Sequence, residues 1–185
     1  MASASSYVFS SAEHAHLTPY LAALHASCVT HDHMMGTFLP PLNHEKLLAW
    51  WKDRIAEANA GTRLILLLLS ESAPGTRAKG PELVGVVMLG MPASETGPFR
   101  AHVEDLLVSP RYRRRGGARS LMAAVEAEAA ARGRTLLMLD AETESSAEEV
   151  FRKLGYVEVG KIPRYGQSPS GEVRGRTFFY KDLAS

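Results

Sequence analysis

The sequence predicts a mixed α/β (α+β) fold, with a central sheet of about six to seven strands and about four helices. Three observations lead there. Residues 63–70, 83–91 and 101–108 are strand-like apolar runs, joined by loops too short for a crossover helix, which reads as an antiparallel meander. Residues 117–132 then carry Ala118, Leu121, Met122, Val125 and Ala129 as one apolar helical stripe. The buried-looking run 135–139 follows directly, so this helix is a crossover to a parallel neighbour.

Taken in order, Tyr7–Phe9 reads as a short first strand. Ser11–Val29 reads as a helix, with Leu17, Leu21, Leu24 and Val29 roughly one turn apart, and with Pro19 near its start where proline is tolerated. Residues 30–42, THDHMMGTFLPPL, are loop-like. Asn43 is the expected N-cap of a helix over 44–59, which ends at Asn59 and Gly61. Its apolar residues are Leu47, Trp50, Trp51 and Ile55; adjacent tryptophans point in different directions, so at least one belongs to the core. The run 63–70 is apolar at almost every position, as in a strand covered on both faces. SESAPGTRAKGPE, residues 70–82, reads as a polar hairpin connection. Gly133 is the expected C-cap of the crossover helix. A shorter helix over 146–154, a strand over 156–161, a loop over 162–175 and a strand over 176–181 complete the chain.

Residues 1–185 are expected to form a single domain, long enough for a sizeable core. The net charge is +1 and charged residues make up 22%, so the large basic excess of a nucleic-acid-binding protein is absent. One cysteine, Cys28, excludes an internal disulfide and fits a reducing compartment; it is expected to be a small buried residue. The N-terminal residues carry no secretory signal, and LILLLL is too short to span a bilayer. A cytoplasmic protein with no membrane or nucleic-acid partner is the expectation, as a monomer or a homodimer.

The most unusual segment is SPRYRRRGGARS, residues 109–120. It joins a strand to a helix start. Unpaired N–H groups there carry partial positive charge and attract anions. Gly116 and Gly117 permit unusual backbone angles and close approach, and arginines add forked donors. A phosphate-bearing cofactor therefore fits this turn better than a nucleic acid.

Arg113-Arg114-Arg115-Gly116-Gly117-Ala118 resembles the acetyl-CoA signature of the GCN5-related N-acetyltransferases, and VEDLLVSP before it is also typical. LLMLDAETESSAEEVFRKLGY resembles that family's second block. The resemblance covers about residues 83–182. Residues 157–183 also resemble the tail of the tabtoxin-resistance acetyltransferases, which acetylate an amino-acid-like toxin. The resemblance implies an acetyl-CoA-dependent N-acetyltransferase. Its acceptor would be a primary amine of a small molecule, with direct transfer in a ternary complex. A protein or peptide acetyltransferase and a non-catalytic acyl-CoA sensor are the alternatives.

Amine acetylation needs a held thioester, a neutral amine, a stabilised oxyanion and a leaving thiolate. The resemblance assigns pantetheine pairing and an oxyanion donor to the main chain of Leu106, Leu107 and Val108. Pyrophosphate falls to the N–H groups of Arg114, Arg115, Gly116, Gly117, Ala118 and Arg119; the Arg113 side chain is the signature position, and Arg111, Arg115 or Arg119 is left to reach the 3′-phosphate. Ser146 and Phe151 complete the cofactor set. His102 and Glu104, two apart on one strand face, are the candidate bases. Phe151 stands where the family often has a tyrosine acid, so Tyr165 or Tyr156 would have to donate instead. Asp32 and Phe38, in the loop after the first helix, and Asp140 and Glu142, at the end of a central strand, are candidate acceptor-binding residues. His31-Asp32-His33 has metal-like spacing without a third ligand, and no metal is expected.

Overall fold

The computed structural model describes residues 4–71 and 80–184. Most of the connection expected over 70–82 lies outside the described residues. Seven strands form one sheet: β1 (Ala4–Val8), β2 (Arg63–Ser70), β3 (Glu82–Gly90), β4 (Arg100–Val108), β5 (Leu136–Glu142), β6 (Val157–Gln167) and β7 (Val173–Asp182). Their order is β1-β2-β3-β4-β5-β7-β6, and only the β4–β5 pair is parallel. Helices α1 (Ser11–His14), α2 (Thr18–Asp32) and α3 (His44–Asn59) accompany α4 (Gly117–Ala131) and α5 (Ser146–Lys153).

The meander and the crossover stand as the apolar pattern dictates. Every residue of β2 is buried. Alternate residues feed two cores: Leu64, Leu66 and Leu68 pack with α4 residues such as Leu121 and Val125, while Ile65, Leu67 and Leu69 pack with Leu21 of α2 and Leu47 and Trp51 of α3. Asn43 caps α3 as expected, its side chain accepting from Lys46 N at 2.9 Å. Cys28 is buried, 3% exposed.

Three expectations need correction. The helix expected over 11–29 is broken: α1 gives way to a 3-10 turn at Ala15–Leu17 before α2 begins. Pro19 is the cause, because its ring crowds the carbonyl four residues back and it has no N–H to donate. The Thr18 hydroxyl donates to the Ala15 carbonyl instead, at 2.8 Å. The helix also runs on to Asp32, stopped by His33 at φ 50°. Finally, most of the loop expected over 162–175 is strand, since β6 and β7 form a long hairpin. Pro163 is accommodated because β6 is an edge strand and its register shifts between Ile162 and Gly166, with Arg164 at φ 55°.

Candidate active site

The parallel pair β4–β5 holds together only through Arg100↔Leu136, Ala101↔Leu137 and His102↔Met138. Beyond His102 the two strands part. β4 stays paired with β3 on its other side, and β5 stays paired with β7 along its whole length. The parting thus leaves one main-chain edge of residues 103–108 outside the sheet pairing, facing β5. An extended amide-bearing chain can pair there. Leu106, Leu107 and Val108 lie on this stretch.

The parting is reinforced by a bulge. Val86 pairs with Leu107 but Met88 with Glu104, so β4 carries one extra residue. Asp105 takes up the extra length at φ 47°, in the left-handed region that asparagine and aspartate tolerate best. The bulge also switches the strand's alternation. Ala101 and Val103 pack in the α4-side core, yet Leu107 packs in the opposite one.

The turn after β4 presents main-chain donors. Arg114 at φ 58° and Gly116 at φ 79° alternate with right-handed or extended neighbours, which turns successive N–H groups inward. Gly116 caps α4, and no side chain fills the cap. The first N–H groups of a fifteen-residue helix are therefore left without a side-chain partner. The two glycines have different reasons. Gly116 has open space around it, so only its backbone angle demands glycine. Gly117 is buried, and a Cβ there would lie 3.1 Å from Leu68 Cδ2 and 3.3 Å from Val108 Cγ1, so it is a packing glycine. Arg113, Arg114, Arg115 and Arg119 are exposed, and Arg115 lies over the Tyr112 ring at 5.3 Å.

Asp32 is not free. It forms an ion pair with Arg113 of the turn. From there the chain crosses to the β6–β7 hairpin. The His33 carbonyl accepts from Ser168 Oγ at 3.3 Å, and the Met35 carbonyl accepts from Arg176 Nη1 at 2.8 Å. Met35 is buried, and a Cβ at Gly166 of β6 would lie 3.2 Å from its sulfur. Residues 32–35 thus form a strap from the turn after β4 to the hairpin. Phe38, further along, packs on His25 at 5.5 Å and Trp50 at 5.9 Å. Asp140 and Glu142 are likewise paired, with Arg176 and with Arg174.

His102 is exposed at the point where β4 and β5 part. Glu104 accepts from Arg63 Nη1 at 2.6 Å, and a Cβ at Gly90 would lie 2.9 Å from its other oxygen. Asp105 was missed in the sequence, and it is the group with the most suggestive chemistry. Burial, helped by the Glu104 charge, pushes its carboxyl up to about 6, against the pull of Arg63, Arg176 and Arg54. The legible signal was its position: strict alternation would have placed a carboxylate on the face of Ala101 and Val103.

Tyr165 is 52% exposed, beside Phe178 and under the Arg176 guanidinium, 5.8 Å from its ring. Tyr156 is buried, with its hydroxyl pushed up by burial, and its ring stacks with Phe151 at 5.9 Å. Phe151 is a core residue, 4% exposed between Tyr156 and Phe179. It therefore has almost no ring surface to stack on a pantetheine chain. Ser146 opens α5 on the surface, whereas the hydroxyl of the preceding Ser145 is buried without a partner among the described residues. Among the described residues no group of three or more His, Cys, Asp or Glu is placed to hold a metal ion, and no helix is long and apolar enough to cross a membrane.

Residues 31–156 match the model of the acetyltransferase (GNAT) family. Solved structures share the whole architecture. A proposed acetyltransferase, YncA, from Salmonella typhimurium, solved with its cofactor acetyl-CoA, is 17% identical at a TM-score of 0.72, over 98% of this chain and 94% of that one. A proposed phosphinothricin N-acetyltransferase is 14% identical at 0.76, over 99% and 100%. A ribosomal-protein-alanine N-acetyltransferase from Brucella melitensis is 21% identical at 0.69, over 96% and 99%. At these identities the likeness is one of fold.

Proposed function

The chain belongs to the acetyltransferase (GNAT) family, an N-acetyltransferase with acetyl-CoA as its cofactor, and from this premise we propose that it acetylates the primary amine of a small molecule. The observation that carries the choice of acceptor is the strap. Residues 32–35 are tied at one end to the turn after β4 and at the other to the β6–β7 hairpin. A bridge in that position would stand across the path of an extended polypeptide and leave room for a smaller acceptor. An amino-acid-like acceptor, such as the one the name phosphinothricin N-acetyltransferase implies for a structural neighbour, fits under it.

The residues present suit the cofactor. The unfilled cap of α4 and the N–H groups of Arg114 to Arg119 would receive the pyrophosphate, with the Arg113 side chain beside them. The free edge of Leu106, Leu107 and Val108 would pair with the pantetheine, and an N–H of this stretch would donate to the carbonyl oxygen as it gains charge. Acetyl-CoA supplies the activated thioester.

Asp105 would take the proton from the acceptor ammonium, directly or through water. A carboxylate near 6 is mostly ionised at pH 7 yet basic enough to share that proton. Glu104 is engaged by Arg63, so it would help by holding up the basicity of Asp105 and by attracting the cation. His102, at the apex, remains the alternative base. Tyr165 is the exposed tyrosine on the acceptor side and would protonate the leaving thiolate. That step is helpful rather than essential, because a thiol of pKa about 8.5 leaves readily. With these roles, residues 1–185 act as one catalytic unit.

The test is thiol release from acetyl-CoA with two panels, small amines and amino acids against peptides with free α-amino ends. Turnover confined to the small amines is expected. Turnover of peptides alone would overturn the acceptor assignment. Saturable binding with no release for any amine would favour a sensor.

A further inference from the structure

The strap is anchored to the one place in the fold where the cofactor's charge should arrive. Asp32 is the last residue of α2 and Arg113 the first of the turn. The Asp32 side chain is 16% exposed and that of Arg113 is 49% exposed, so the arginine reaches from the surface to a carboxylate that is largely enclosed. Asp32 is poorly sited without that cation. A carboxylate at a helix C-terminus faces the negative end of the helix dipole. Burial, and after it the Asp32 charge, pushes the nearby Cys28 thiol up to about 12.

We propose that Asp32 is a positioning residue that couples cofactor binding to the strap: the coenzyme's phosphates compete with Asp32 for Arg113, and winning that competition loosens residues 33–42 from their near end so that a small acceptor can slip under the strap, which its anchors on the hairpin still hold across the splay. The proposal rests on the assignment of the turn to the pyrophosphate. A phosphate at the turn acts on Asp32 twice. It withdraws the cation that Asp32 needs, and it brings a second negative charge close to it. The anchors that remain are the hydrogen bonds Ser168 to His33 and Arg176 to Met35 and the packing of Met35 beside Gly166 and of Phe38 on His25 and Trp50, none of which touches the turn. The strap is then held only at its far side. By reciprocity, whatever weakens the strap's near anchor must tighten the cofactor by the same factor.

The experiment uses coenzyme A itself and needs no known acceptor. Titration calorimetry of Asp32→Asn should show coenzyme A binding about fivefold tighter or more than in the wild type, within the usual range of coupling. Asp32→Glu, which keeps the charge, should return the affinity to near the wild-type value. Hydrogen exchange adds a readout on the unaltered protein: amides of residues 33–42 should exchange faster at saturating coenzyme A, and in Asp32→Asn they should be fast already. Unchanged or weaker binding by Asp32→Asn, or wild-type exchange that is unchanged or slowed by coenzyme A, would overturn the coupling alone. A wild-type protein that does not bind coenzyme A would overturn the turn assignment and the coupling with it.

Discussion

Glu104 Oε2 accepts a hydrogen bond from Arg63 Nη1 at 2.6 Å, while Asp105, the next residue along β4, has no ion pair among the described residues. Neighbouring carboxylates are thereby driven apart in chemistry. One is engaged by a buried arginine, which also binds Glu57 at 2.6 Å; the other is raised to about 6 by burial.

Asp105→Asn should lower kcat by about a hundredfold or more, as expected for loss of a general base, with little change in coenzyme A affinity. In the wild type, kcat should rise with pH through about 6, and the variant should lose that limb. The stability effect has the opposite sense. A carboxyl raised from 3.8 to about 6 binds more protons folded than unfolded between those values, so its ionisation costs stability as pH rises through them. Asn tolerates the φ of 47°, so Asp105→Asn should raise stability at pH 7 by about 1 kcal/mol or more. A wild-type pH–rate profile in Asp105→Asn would return the role of base to His102.

Glu104→Gln should act differently. Arg63 is 9% exposed and would keep Glu57 as a partner, so the loss should be about 1 kcal/mol in chemical denaturation. The proton-uptake limb should shift downward, because removing the Glu104 charge removes one of the causes that raise Asp105.

Phe151→Tyr, the substitution that restores the tyrosine expected of such a site, should give no gain in kcat. The new hydroxyl would enter a core between Tyr156 and Phe179, where an unpaired hydroxyl costs about 1–3 kcal/mol, seen as a lower Tm. Tyr165→Phe is the informative change: an exposed ring loses its hydroxyl, stability is unaffected and kcat falls about tenfold. An unchanged kcat in Tyr165→Phe would mean that the thiolate leaves without this acid.

What was legible follows from which forces are local. The apolar runs of β2, β3 and β4 and the stripe of α4 announce themselves through period, so the meander and crossover could be read directly. The turn at 109–120 was legible because glycine beside a helix start has few other uses. Asp105 was not, because a bulge is a register mismatch between β3 and β4, and one strand's sequence contains no register. Asp32, Asp140 and Glu142 were expected near the acceptor, and nothing local in the sequence shows that each is ion-paired within the protein. Their partners, Arg113, Arg176 and Arg174, come from elements distant in sequence. Phe151 was expected at the site from its place in the second block, where the family often has a tyrosine; that Tyr156 and Phe179 close over it is a tertiary contact no local pattern shows.

The glycines of the turn separate binding from stability. Gly116→Asp should abolish coenzyme A binding by placing a carboxylate at the open cap, while the left-handed φ of 79° is one that aspartate tolerates better than most residues. Gly117→Ala should cost about 1–3 kcal/mol of stability through contact with Leu68 and Val108. Retained affinity in Gly116→Asp would count against the phosphate site; measuring coenzyme A binding and Tm together distinguishes the two effects.

His25 should make the protein acid-sensitive. Its ring is fully buried against Phe38, Trp50 and Trp51, and both nitrogens lack a hydrogen-bond partner among the described residues. Burial lowers it from 6.5 to about 4. Between these values the unfolded chain binds a proton that the folded chain refuses. The contribution of His25 to stability is therefore intact above 6.5 and falls by up to about 1.4 kcal/mol per pH unit as pH drops toward 4. His25→Phe removes the titrating group and fits an aromatic cluster, so its denaturation midpoint should climb relative to the wild type's as pH falls from 6.5 to 4.5; Asp105, whose protonation adds stability over part of that range, is present in both proteins and cancels in the difference. Because His25 packs on Phe38 next to the strap, the wild type's loss should first appear as faster amide exchange at the end of α2 and in residues 33–38. Parallel pH dependence in the two proteins would show that His25 does not control this packing.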